Sequence, residues 1–146
     1  DPKGRIKILH KQKDEKPSIF SAFTLPLFGP IAAGFAAPVE EQAEETVNLE
    51  QYLIKDRSST FLLRVKGESM INAGIHEGDL VIVDRSKTPK VNDIVVGILD
   101  GEFTLKRLKK GNGKFYLQAE NPDYPDLYAM DELKIGGVVV GTVRKY

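Results

Sequence analysis

The dipeptide Asp100-Gly101 separates two alternating runs, Asp93 to Leu99 and Glu102 to Leu108, and it constrains the fold more than any other feature of the chain. A two-residue loop between antiparallel strands favours a type I′ turn. That turn needs positive φ at both central residues, and Asp-Gly accepts this at low steric cost. The two runs are therefore predicted to pair as a hairpin. Asn112-Gly113 repeats the signal and leads into Phe115 to Gln118. Thr60 to Lys66, Leu80 to Asp84 after the turn-like Glu77-Gly78-Asp79, and the Val- and Gly-rich Ile135 to Val143 are further candidate strands. Several short strands divided by turns, with no second helical pattern, predict a compact, mostly β domain over 46–146. One short helix is predicted over 48–54. Asn48 can cap it, Gln51 stands three residues on, and Leu49, Tyr52 and Leu53 share a face.

Upstream the character changes. Lys3, Arg5, Lys7, Lys11, Lys13 and Lys16 make residues 1–20 basic, while Pro26, Gly29, Pro30, Gly34 and Pro38 interrupt regular structure. Glu40, Glu41, Glu44 and Glu45 follow as an acidic, solvated linker. Residues 1–45 thus read as a flexible, extended arm. A chain of 146 residues suffices for one domain plus such an arm. Lys plus Arg and Asp plus Glu number 21 each, a balance that argues against direct DNA binding, and Asp14 and Glu15 dilute the basic arm. The absence of cysteine excludes disulfides, thiolate zinc sites and a cysteine nucleophile. His10 and His76 are too few for a multi-histidine metal centre, and neither metal nor cofactor is expected. No run of about 18–20 apolar residues predicts a membrane span. The apolar stretch Phe20 to Val39 after a basic segment loosely imitates a secretion signal, but Pro26, Gly29 and Pro30 break it. A reducing cytoplasmic setting fits.

Two segments could carry chemistry. Gly67-Glu68-Ser69-Met70 ends the first strand of the β domain, where a serine beside Gly can sit in a tight turn with backbone N–H groups aimed at a developing oxyanion. A Ser in such a setting is more often an ordinary turn residue. Lys106 lies on the second strand of the Asp-Gly hairpin. Thr104, Lys106 and Leu108 share one side, and Phe103, Leu105 and Arg107 the other, so alternation leaves its face open. On the surface it is a solvated strand lysine. Buried, it loses its charge more easily and can act as a general base.

The chain resembles the LexA/UmuD family of self-cleaving Ser–Lys peptidases, its UmuD branch most of all. The likeness rests on Leu25-Pro26-Leu27-Phe28, Ala33-Gly34-Phe35, Asn48-Leu49 to Ile54, Gly67-Glu68-Ser69-Met70-Ile71, Gly74-Ile75, Glu77 through Asp84, Asp93-Ile94-Val95 and Asp100 through Lys106. The resemblance implies a LexA/signal-peptidase-like β domain in which Ser69 is the nucleophile and Lys106 its base, at a separation of 106 − 69 = 37 as in the family. It implies self-cleavage between Ala33 and Gly34, at 69 − 33 = 36 before the serine, with Ile31, Ala32 and Phe35 flanking the bond. The arm would reach Ser69 of its own chain or of a partner subunit. The oxyanion would rest on the backbone N–H of Ser69 and of Glu68.

The same resemblance implies an SOS mutagenesis role. A RecA filament on single-stranded DNA stimulates cleavage, the intact form restrains damage tolerance, and the shortened homodimer joins a UmuC-like translesion polymerase. Two departures are the long basic N-terminus and Ala in place of Cys before the scissile Gly. The alternative is the dimerisation and self-cleavage domain of a truncated LexA-like or phage repressor; unless the chain is cut short at Asp1, the 33 residues before the bond are too few for a helix-turn-helix domain. A signal-peptidase-like processing enzyme would need a membrane anchor, and a dead peptidase acting only as a subunit would not need both Ser69 and Lys106.

Overall fold

The computed structural model describes residues 23–31, 33, 43–130 and 132–146. Contacts divide it into a unit ending at Tyr52 and a unit from Leu53 to Tyr146. In the first, strand β1 (Thr24–Leu27) pairs antiparallel with β2 (Glu45–Asn48), in the register Thr24↔Asn48 to Leu27↔Glu45. Pro26, a breaker when read locally, lies within β1 opposite Thr46. A two-stranded ladder leaves every second N–H facing outward, however, and a proline is tolerated on such an edge. Glu44 extends the contact by donating its N–H to the Leu27 carbonyl at 2.8 Å. Glu45, expected in a solvated linker, belongs to β2. Helix α1 (Leu49–Leu53) begins at the predicted cap, where Asn48 Oδ1 accepts the Gln51 N–H at 3.0 Å.

The second unit is a six-stranded antiparallel sheet. Its strands are β3 (Thr60–Arg64), β4 (Leu80–Asp84), β5 (Ile94–Leu99), β6 (Glu102–Gly111), β7 (Lys114–Gln118) and β8 (Lys134–Val143), in the order β3-β4-β8-β5-β6-β7. Both tight turns form as predicted. Asp100 and Gly101 have φ of 50° and 81°, and Asn112 and Gly113 have 52° and 77°. The second turn lets β6 run on to Gly111 rather than stopping at Leu108. Strand β3 ends at Arg64 rather than Lys66, because Val65 leaves the ladder to bond the Gly78–Asp79 turn. Its N–H donates to the Asp79 carbonyl at 2.8 Å and its carbonyl accepts the Gly78 N–H at 2.9 Å.

Two apolar clusters cover the sheet. Met70, Ile75, Val81, Val83 and Val96 form one; Val95, Leu108, Leu117 and Val138 form the other. Adjacent residues Val95 and Val96 fall in different clusters, as strand alternation requires, so β5 is buried on both faces. Strand β8 bends through register shifts opposite Ile82/Val83 and opposite Val96/Gly97. It approaches β4 so closely at Gly137 that a Cβ there would lie 2.5 Å from Val83 Cγ1. Among the described residues, no helix is long and apolar enough to cross a membrane.

Candidate active site

Ser69 sits in an irregular segment between β3 and a 3₁₀ turn at Ile71–Ala73. Gly67 enters that segment at φ +82°, a left-handed conformation that disfavours side chains, and gives its N–H to Glu77 Oε1 at 3.2 Å. Met70, 2% exposed, pins the segment to the first core cluster. The Glu68 carbonyl accepts the Ile71 N–H at 3.2 Å and the Asn121 Nδ2 at 3.0 Å, while the Asn72 N–H goes to the Glu120 carbonyl at 2.8 Å. Beyond the turn, Asp79 is almost fully enclosed. Its carboxylate accepts Arg144 Nε and Nη2, both at 2.7 Å, and the His76 N–H at 2.8 Å. The Arg144 hydrogen bonds, then that from His76, hold its carboxyl well below the usual carboxylate range. Arg144 also donates to the Gly74 carbonyl at 2.9 Å, tying the C-terminal end to the turn after Ser69.

Lys106 stands on β6 opposite Val95 of β5 and is only 7% exposed, which settles the face that alternation left open. Its Nζ lies 2.9 Å from Ser69 Oγ, 2.9 Å from Thr104 Oγ1 and 3.0 Å from the Leu105 carbonyl oxygen. As an ammonium it donates to all three; as a neutral amine, two N–H groups serve Thr104 and Leu105 and the lone pair is left to accept the Ser69 hydroxyl proton. Three buried polar or charged side chains stand out among the described residues, Asp79, Asp84 and Lys106. Asp79 has an arginine, and Asp84 accepts from Ser86 N and Oγ and from Ser59 Oγ. Around Lys106 the hydrogen-bonding partners are two hydroxyls and a carbonyl, none of them an anion. Burial therefore pushes its ammonium below the ordinary lysine range.

A cavity of about 250 Å³ opens at this pair, with Leu63, Val65, Met70 and Leu105 among its apolar walls. Among the described residues, neither the Glu68 nor the Ser69 N–H is given to an acceptor. Ala33 is exposed, and Gly34 lies outside the described residues, as do the flanking Ala32 and Phe35; Ile31 is exposed. The structure thus brings Ser69 and Lys106 together. Three residues at the site carried no role in the sequence reading. Thr104 had a signal, its place two residues before Lys106 on the same strand side. Asn121 had a weaker one, the turn-forming Asn-Pro dipeptide. Arg144 had none, since its partner lies 65 positions away.

Residues 26–140, which include Ser69, Lys106 and nearly all of the sheet, match the family described as peptidase S24-like. The chain is 45% identical over 124 residues to a LexA repressor of Verrucomicrobium spinosum, an alignment covering 84% of this chain and 61% of that one. It is 42% identical over 123 residues to protein SamA of Salmonella typhimurium, covering 84% and 86%. It is 36% identical over 140 residues to protein ImpA of Escherichia coli, covering 94% of each. The chain therefore spans about three fifths of that LexA repressor and most of the other two. A mostly β fold and a family match over most of its length lead to one assignment: the chain belongs to the peptidase S24-like family.

Proposed function

We propose that this chain is a serine peptidase that cuts its own backbone between Ala33 and Gly34, with Ser69 as nucleophile and Lys106 as general base. One observation carries the reading. Lys106 Nζ lies 2.9 Å from Ser69 Oγ, in a buried setting that disfavours its ammonium form. Neutral Lys106 takes the hydroxyl proton as Oγ bonds to the Ala33 carbonyl carbon. The oxyanion is held by the Ser69 and Glu68 N–H groups. Protonated Lys106 then gives its proton to the Gly34 nitrogen, the C–N bond breaks, and an acyl-serine remains. Water, deprotonated by Lys106, releases it and restores Ser69. The cavity beside the pair has room for the scissile segment, and Gly34 permits its close, bent backbone approach. Because the substrate is tethered, weak intrinsic affinity suffices.

In this reading the protein acts in SOS mutagenesis as a cytoplasmic homodimer. Its cleavage is stimulated by a RecA filament on single-stranded DNA, and the form beginning at Gly34 joins a UmuC-like translesion polymerase. The likeness to ImpA, which runs through 94% of both chains and so includes arm as well as β domain, supports it. The 45% identity to a LexA repressor favours the second reading, the self-cleavage domain of a repressor. Intact-mass spectrometry over time, alone and with RecA–single-stranded DNA–nucleotide filaments, tests the chemistry. A species matching Gly34 to Tyr146 is expected, absent from Ser69→Ala and Lys106→Ala. A chain that stays whole under every condition refutes the peptidase reading. Pull-down of a translesion polymerase by the shortened form, against operator binding by the intact form, separates the two roles.

A further inference from the structure

We infer that Asn121 is a positioning residue for the oxyanion-binding peptide: it holds the Glu68 carbonyl so that the Ser69 N–H faces the reacting carbonyl group. The inference rests on the self-cleaving reading above and names a residue that neither the Ser–Lys pair nor its neighbours on β6 supply.

A peptide unit is planar, and no cis bond occurs among the described residues, so the Glu68 oxygen and the Ser69 N–H point in opposite directions. Whatever fixes one fixes the other. The Glu68 oxygen is fixed twice. The Ile71 N–H, at 3.2 Å, belongs to the local turn, and Asn121 Nδ2, at 3.0 Å, arrives from 53 residues away. The orientation of the Asn121 amide is not arbitrary. Its Oδ1 accepts the Asp123 N–H at 3.0 Å, and a backbone N–H can only donate, so Nδ2 must face the Glu68 carbonyl, which can only accept. The segment bearing Asn121 is itself anchored. The Glu120 carbonyl takes the Asn72 N–H at 2.8 Å, the Tyr124 N–H goes to the Asn121 carbonyl at 3.1 Å, and the Glu120 carboxylate pairs with Arg107, the residue after Lys106. Strand β6 thus supplies the base directly. Through Arg107, Glu120 and Asn121 it also reaches the peptide on the far side of the nucleophile. The Ser69 N–H, opposite the clamped oxygen, has no acceptor among the described residues, as a donor kept for a developing charge requires.

The test measures self-cleavage rate constants of the full chain against pH for wild type, Asn121→Asp and Asn121→Ser, beside the thermal unfolding of each. Asn121→Asp keeps size and the Asp123 bond but turns a carboxylate oxygen toward the Glu68 carbonyl. Asn121→Ser is too short to reach it and adds no charge. Expected is a fall of about 10- to 100-fold in the plateau rate of both variants, at temperatures where both are folded. In Asn121→Ser the pH midpoint stays at the wild-type value, since Lys106 keeps every neighbour. A wild-type plateau in either folded variant overturns the inference and leaves the peptidase reading intact. A displaced midpoint in Asn121→Ser overturns it too, because Asn121 would then act through Lys106. If Asn121→Asp fails to fold, Asn121→Ser decides alone. A wild-type chain that never cleaves overturns the peptidase reading and this inference with it.

Discussion

Replacing Thr104 by Asp places a carboxylate where a hydroxyl now stands 2.9 Å from Lys106 Nζ. At that separation and an effective dielectric constant of about 20, Coulomb's law gives at most about 6 kcal/mol of attraction for the ammonium form, about four pKa units. Thr104 is half-buried rather than enclosed, and carboxylates beside cations in proteins shift their partners by about one to three units. The Lys106 ammonium, now held below the ordinary lysine range by burial, should therefore become harder to deprotonate by that amount. Only neutral Lys106 can take the Ser69 proton, so the self-cleavage rate at neutral pH should fall about 10- to 1000-fold. It should recover about tenfold for each unit of pH until the new midpoint is reached. The assay is intact-mass or gel quantification of self-cleavage between pH 6 and 11, with circular dichroism melting to show that the variant is folded. Thr104→Asn, which adds a polar group without charge, should leave the midpoint within about half a unit of wild type. A folded Thr104→Asp chain with an unmoved midpoint would refute Lys106 as the base.

Further outcomes follow from the same contacts. Lys106→Met should abolish cleavage and, near neutral pH, stabilise the fold on the order of 1 kcal/mol by removing a buried cation whose hydrogen-bonding partners among the described residues include no anion. Because the folded-state lysine is shifted down, the unfolded chain binds more protons as pH rises through the window up to about 10.4, so wild-type stability climbs there. The advantage of Lys106→Met should narrow over that range in urea titrations at pH 6 and pH 10. Arg144→Met should lower the melting temperature, since Asp79 is left enclosed without its partner. Wild type should lose stability as pH falls from about 4 through the depressed Asp79 range. The variant should lose less over the same interval, measured by thermal melts from pH 6 to pH 2. Gly67→Ala, at φ +82°, should destabilise by about 1–2 kcal/mol and slow cleavage further than that loss predicts, because the Ser69 segment must shift.

What could be read in the sequence was what depends on neighbours in sequence. Asp100-Gly101 and Asn112-Gly113 carry their positive φ wherever they stand, so both hairpins and the strands around them were legible. The cap at Asn48 likewise needs only Gln51. The β1–β2 ladder was not legible, because Thr24↔Asn48 is a distant pairing and Pro26 argues locally against it. The face of Lys106 was undecidable because each side of β6 mixes polar and apolar residues, Thr104 and Lys106 with Leu108 on one and Arg107 with Phe103 and Leu105 on the other, although burial falls on Lys106 and Leu108. Ser69 and Lys106 gained their roles from resemblance rather than pattern. Their polar neighbours, Thr104 at Lys106 and Asn121 at the Glu68 carbonyl, show in the sequence only as an unremarkable strand residue and the start of a turn.

The β1–β2 ladder closes the segment 28–44, and the proposed scissile bond lies inside that segment. Hydrolysis would therefore sever the chain without separating the two strands. Four residue pairs make a ribbon that is marginal in water, and in the intact chain the connecting segment keeps its halves at high local concentration. Once that segment is cut, the same pairing becomes a bimolecular association between fragments and dissolves on dilution. The shortened form would then appear in two stages with separate clocks. One is set by the protonation of Lys106 and visible on a denaturing gel; the other is set by protein concentration and visible only in a native measurement of mass.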